Sequence, residues 1–218
     1  MAGRTMQQVK RRRAVKGDSY YGKAAASYEK RRTQQGWWHE EHQQLENCLA
    51  DLPRSLDVLD VPFGTGRFMP IYAARKDRVH GLDSSADMLS EATRLRGDEM
   101  NGCTTHVGSA MSLPFEDNSF DLLVSVRFLS EIITFGDARK ALADFARVTR
   151  SFAVLQLCET NDGQGQTPAE DAAMRDLMER ADVDALLIDH GFNPIERFLV
   201  REDAEGVSRV HHILCKVG

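Results

Sequence analysis

The chain has 218 residues, 42 % of them apolar, and a formal net charge of −5. That length suits one domain, or one domain with an appendage, and no run of 18 apolar residues is present to predict a membrane span. Cys48, Cys103, Cys158 and Cys215 are scattered without a Cys-x-x-Cys pair, which argues against a zinc site and a disulfide framework. The absence of a signal-peptide apolar core adds the expectation of a cytoplasmic, reducing setting. No dense acidic or histidine cluster points to a catalytic metal.

Residues 1–17 read as a flexible basic arm. The first 32 residues hold ten Lys/Arg against Asp18 and Glu29, a local balance of +8, and Lys10-Arg-Arg-Arg13 is the densest run. Residues 4–32 could attract nucleic acid through such a cluster; a solvated tail is the alternative, and the acidic remainder of the chain favours it. Residues 18–53 read as an N-terminal helical lid. Ala24, Tyr28, Leu45, Cys48, Leu49 and Leu52 supply its apolar positions, Gly36 divides two helices, and Pro53 ends the second.

From residue 54 to 218, short apolar strands alternate with helices, which predicts parallel βαβ units. Strands are expected at 57–61, 78–83, 103–108, 120–126 and 152–158, and helices at 67–76, 86–97, 137–149 and 168–190. Two last strands, 195–200 and 210–217, are joined by a connection short enough only for an antiparallel hairpin.

The first strand carries the most informative stretch, Val58-Leu-Asp-Val-Pro-Phe-Gly-Thr-Gly-Arg-Phe68. Gly64 and Gly66 give a turn in which a ligand can lie against backbone. Met69 stands where a dinucleotide fingerprint places its third glycine. Asp60 at the strand end would repel a pyrophosphate and suits a ligand with a positive charge or several donors. Asp83, at the tip of the second strand, stands where an acid can accept hydrogen bonds from ribose hydroxyls. Ser84 or Ser85 would cap the next helix, and Met88 in its first turn could lie on an adenine face or pack in the core.

These blocks, with His106-Val-Gly-Ser-Ala-Met-Ser-Leu-Pro-Phe-Glu-Asp-Asn-Ser-Phe-Asp121, resemble the class I S-adenosylmethionine (SAM)-dependent methyltransferases. The resemblance implies an α/β fold: a Rossmann-like, doubly wound, seven-stranded sheet of order 3-2-1-4-5-7-6, the last strand antiparallel. It implies SAM as cofactor and S-adenosylhomocysteine as product. Asp60, Gly64 and Gly66 would flank the methionine end, Asp83 the ribose, and Met88, Ser109, Ala110 and Met111 the adenine, with Pro62 and Ser84 also among the cofactor contacts. Position 109 is usually acidic in this family and here is Ser; position 62 is Pro where Gly is commoner.

Ligands in open α/β sheets bind beyond the carboxyl ends of the strands. The acceptor would therefore meet Arg127–Glu131, Glu159 and a lid bearing Tyr20, Tyr21, Trp37, Trp38, His39 and His42. Glu131 is the candidate base, His39 a further catalytic candidate, and Arg127 could hold an acidic acceptor or pair with the lid. Ser125-Val-Arg-Phe128 is not the Pro-Pro-aromatic motif of amino-methylating DNA enzymes, and Cys158 lacks the motif of cytosine-carbon methylation, so it reads as core. The leading expectation is methylation of a small molecule at oxygen or nitrogen. RNA or DNA methylation anchored by the basic arm, and a non-catalytic SAM-binding regulatory partner, are the alternatives. Oligomeric state is left open.

Overall fold

Val58 and Leu59 are adjacent and both apolar, so on a pleated strand they face opposite sides, and both sides must be covered. The computed structural model shows how. It describes residues 20–130, 133–160, 163, 165–172, 178–204 and 206–218. The basic arm, residues 1–17, lies outside these.

Three helices come first: α1 (Lys23–Ala26), α2 (Tyr28–Arg32) and α3 (Gly36–Leu49). Gly36 opens the longest of them, where a divider between two helices was expected. The alternating part follows as β1 (Asp57–Asp60), α4 (Met69–Arg75), β2 (Arg78–Asp83), α5 (Ala86–Arg96), β3 (Cys103–Val107), β4 (Phe120–Ser125), α6 (Phe135–Val148) and β5 (Thr149–Thr160). The chain ends in β6 (Met178–Glu179), α7 (Arg180–Asp189), β7 (Phe192–Glu202) and β8 (Arg209–Val217). The single long helix expected at 168–190 is not formed. Residues 178–179 instead pair in parallel with Glu159 and Thr160 of β5, and the helix covers only Arg180–Asp189.

The sheet order is β3-β2-β1-β4-β5-β8-β7, with β6 off this path against β5. Apart from that two-residue strand, this is the expected order. The first five strands of the path are parallel. β8 runs antiparallel to both β5 and β7, as the short connection requires. Leu59, Leu123 and Leu155 pack on one face with Leu142 and Phe145 of α6 and Leu187 of α7. Val58, Leu122 and Val154 pack on the other with Leu45 and Leu49 of α3, Tyr72 of α4 and Leu89 of α5. Helices therefore cover both faces, and the carboxyl ends of the parallel strands are left for a ligand.

The turn after β1 is shaped by one ring. Phe63 is buried, its N–H donates to Leu82 O at 2.8 Å, and it sits against two glycines. A Cβ on Gly81 would lie 2.5 Å from the ring, and one on Gly66 2.9 Å from it. Gly81→Ala is therefore expected to cost about 1–3 kcal/mol, the usual range for overpacking. Urea unfolding reads the loss, and Phe63→Leu in the same chain should return part of it. Strictly additive losses would show that the ring is not what makes alanine unwelcome.

Candidate active site

Beyond the strand ends lies a cavity of about 180 Å³. Nine of the ten expected cofactor contacts line it: Asp60, Pro62, Gly64, Asp83, Ser84, Met88, Ser109, Ala110 and Met111. Gly66 does not. Its φ of +62° turns the chain, and its missing side chain makes room for Phe63. Gly64, φ +60°, is the glycine that faces the cavity, and a Cβ there would meet only Met88 Cε at 3.7 Å. The Val61–Pro62 peptide is cis.

Asp83 is a fixed carboxylate. Oδ2 accepts from Gly64 N at 2.8 Å and Oδ1 from Ser85 N at 2.9 Å. It thus ties the glycine turn of β1 to the tip of β2. Burial raises its pKa, and these backbone N–H groups oppose the shift. Ser85, not Ser84, caps α5, its Oγ accepting from Met88 N at 3.3 Å. Ser109 Oγ accepts from Met111 N at 3.2 Å, which fixes that corner.

Asp60 is the more unusual acid. It is 2 % exposed, Tyr72 Oη donates to its Oδ2 at 3.1 Å, and among the described residues no cation lies within ion-pair distance of it. Burial pushes its pKa up to about 8, against the opposing Tyr72 hydrogen bond and the more distant Arg67.

The lid closes over the cavity with Tyr20, Tyr28 and Arg32. Tyr20 O accepts from Ser85 Oγ at 2.6 Å, and Gly22 N donates to Asp87 Oδ2 at 2.6 Å. Glu29 accepts from Thr65 Oγ1 at 2.8 Å and pairs with Arg96. Deeper, Glu41 of α3 is the hub of a buried polar network. Its carboxylate pairs with Arg67 at 2.6 Å, accepts from Gln156 Nε2 at 2.7 Å and lies 3.9 Å from Arg127. Its carbonyl accepts the Nε2–H of His212 at 2.9 Å. Burial pushes the Glu41 pKa up, but Arg67, Arg127 and Gln156 outweigh it and hold the carboxyl below its usual value. The Arg67 guanidinium carbon lies over the rings of Trp38 and Phe68, 4.2 and 4.3 Å from their centroids.

The three catalytic candidates fare differently. Glu131 lies outside the described residues. Arg127 lines the cavity, in the left-handed region at φ +61°. His39 is exposed on α3 and borders neither this cavity nor its neighbour. Cys158, expected in the core, is half-buried and borders a second cavity. Sequence reasoning missed Glu41, Arg67 and Gln156. One signal was available: Trp38, Glu41, Leu45 and Cys48 follow helical spacing, so Glu41 stands on the apolar stripe of its helix, where an acid needs a partner.

A family described as "Methyltransferase domain" matches residues 58–151. The demethylmenaquinone methyltransferase of Thermobifida fusca is 35 % identical over 108 residues, 47 % of this chain and 42 % of that protein. The chain thus spans about two fifths of the length of the curated relatives it matches. Among solved structures, a magnesium protoporphyrin IX methyltransferase from Synechocystis PCC 6803 with bound S-adenosylhomocysteine has a TM-score of 0.70 at 16 % identity. That likeness covers 93 % of this chain and 98 % of the other. The Burkholderia thailandensis 1,6-didemethyltoxoflavin-N1-methyltransferase, with its namesake ligand and S-adenosylhomocysteine, has a TM-score of 0.67 at 18 % identity, covering 88 % and 84 %. Residues 58–151, which hold the glycine turn and the strand-end acids, thus match a methyltransferase domain, and the chain shares its fold with these solved methyltransferases.

Proposed function

We propose that this protein is a SAM-dependent methyltransferase acting at oxygen or nitrogen of a small molecule. The observation that carries the reading is Asp60: a buried carboxylate with no cation within ion-pair distance among the described residues, on the wall of a cavity whose turn is tied down by a second carboxylate. The residues present fit SAM. Asp60 would take its ammonium, and Arg67, whose Nη1 is buried without a hydrogen-bond partner, brings the opposite charge for its carboxylate. Each Asp83 oxygen spends one lone pair on a backbone N–H and keeps acceptor capacity for ribose hydroxyls. Met88, Ala110 and Met111 offer the apolar faces an adenine needs.

Bound SAM supplies a methyl group on a sulfonium, a good leaving group. What is asked of the chain is orientation of the acceptor and exclusion of water, which the Tyr20, Tyr28 and Arg32 lid provides. The direct test is release of S-adenosylhomocysteine from SAM in the presence of pooled small-molecule acceptors. Silence across the pools, with SAM binding intact, would favour a regulatory SAM-binding protein instead.

Asp60 adds a pH signature. Its folded pKa, about 8, stands above its ordinary 3.8, so the folded protein holds more protons than the unfolded one between those values. Stability of the ligand-free protein from this group therefore falls as pH rises through that window. A cationic ligand favours the ionised carboxylate, so binding expels the proton. SAM affinity is expected to rise about tenfold from pH 6 to pH 7. Calorimetry in two buffers of different ionisation enthalpy would show the proton leaving. Asp60→Asn should flatten the profile, and an unchanged slope in that variant would remove Asp60 from the site.

A further inference from the structure

The walls of the first cavity are chemically uneven. Among the described residues they carry two acids, Asp60 and Asp83, at the carboxyl ends of β1 and β2. The wall beyond β3 is Gly108, Ser109, Ala110 and Met111, and it bears no charge. β3 is the outermost strand on that side of the sheet, so this wall stands at the rim of the protein. Val107, the last residue of the strand, is 63 % exposed, and Ser109 is exposed as well.

The polar groups at this rim serve their own turn. Gly108 N donates to Asp83 O at 3.0 Å and Ser112 N to Ser109 O at 3.1 Å. Met111 N donates to Ser109 Oγ at 3.2 Å. Two acids on neighbouring elements are also committed. Asp87, in the first turn of α5, accepts from Gly22 N at 2.6 Å. Asp144 of α6 accepts from Leu113 N and, at 2.7 Å, from Arg147 Nε. Neither borders the cavity.

A site discriminates strongly at an amino group when it holds a buried acceptor for that group, because an analogue without the N–H leaves the acceptor unpaired. An exposed hydroxyl, already accepting from its own turn and open to water, imposes no such penalty. We propose that the rim beyond β3 holds a purine by its faces, through Met88, Ala110 and Met111, and does not read the exocyclic amino group. Methyl donors whose purine is deaminated or carries an N6 substituent are then accepted as well as the adenosyl donor. Ser109 is the residue that sets this tolerance. The proposal rests on reading the first cavity as the SAM site with the base beyond β3.

The test is calorimetric titration with S-adenosylhomocysteine, its 6-deamino analogue, which keeps ring N1, and its N6-benzyl derivative. Both analogues should bind within roughly fivefold of the parent, the worth of no more than one neutral hydrogen bond. Ser109→Asp places a carboxylate at the rim, and Asp can still accept from the backbone N–H two residues on. In that variant the parent should bind roughly tenfold or more tighter than the deamino analogue. Thermal unfolding checks that the variant folds, and the wild-type titrations decide the matter if it does not. A wild-type loss of about tenfold or more for either analogue, or no gap opening in folded Ser109→Asp, would overturn the proposal while leaving the cavity as the SAM site. If S-adenosylhomocysteine itself fails to bind, the first-cavity reading falls, and the proposal with it.

Discussion

Replacing Glu41 with alanine is expected to destabilise the protein by about 3–5 kcal/mol, the range for removing one partner of a buried ion pair. Three things are lost together. Arg67, in contact with the rings of Trp38 and Phe68, keeps its charge without the carboxylate 2.6 Å away. Gln156 Nε2 loses its acceptor. A void opens between α3 and the sheet. For a chain of this size the fall in Tm is roughly 6–20 °C. Glu41→Gln retains the volume and an acceptor oxygen, so it should lose less, and the difference between the two variants isolates the charge. The sign with pH follows from the lowered pKa. The contribution of Glu41 is present above its ordinary carboxylate pKa and fades as pH falls through the folded value. A loss under about 1 kcal/mol for alanine, as expected of an exposed pair, would mean that the network does not form in solution.

Asp83→Ala is expected to weaken SAM binding by about 1.5–3 kcal/mol, or roughly 10- to 150-fold. The geometry makes the expectation more specific than a lost ligand contact. The carboxylate also holds Gly64 N and Ser85 N, so its removal frees the turn that shapes the cavity and the first residues of α5. Asp83→Asn keeps one carbonyl oxygen and only one of the two backbone bonds, and should fall between wild type and alanine. Calorimetry reads the affinity and thermal unfolding the turn. Unchanged affinity in Asp83→Ala would refute the role, whereas equal affinity losses in both variants would assign it to charge alone.

The parallel sheet was legible because its signals are local. Val58-Leu-Asp-Val and His80-Gly-Leu-Asp83 are apolar runs ended by acids, and the last connection was too short for anything but a hairpin. The cavity wall from Asp60 to Met111 was legible for the same reason, each residue lying at or just beyond the carboxyl end of a strand, Met88 in the first turn of the helix that follows. The segment 168–190 misled because Met178 and Glu179 take strand pairing from β5, a partner distant in sequence. Gly66 lies off the cavity wall, and its missing side chain makes room for Phe63. The Glu41 network joins residues more than a hundred positions apart in the chain, such as Glu41 and Gln156. No pattern of spacing encodes such a meeting; only burial reveals it.

The lid ties have a kinetic consequence. Tyr20 to Ser85, Gly22 to Asp87 and Glu29 to Thr65 and Arg96 fasten α1 and α2 to the rim of the cavity from several sides. A molecule inside is released when these ties open as a group, so its residence time follows the opening rate of the lid, and product departure competes with chemistry as the slow step. One of the ties, Glu29 to Arg96, is a partly exposed ion pair, which added salt weakens. Exchange should therefore quicken with ionic strength while the contacts inside the cavity stay the same.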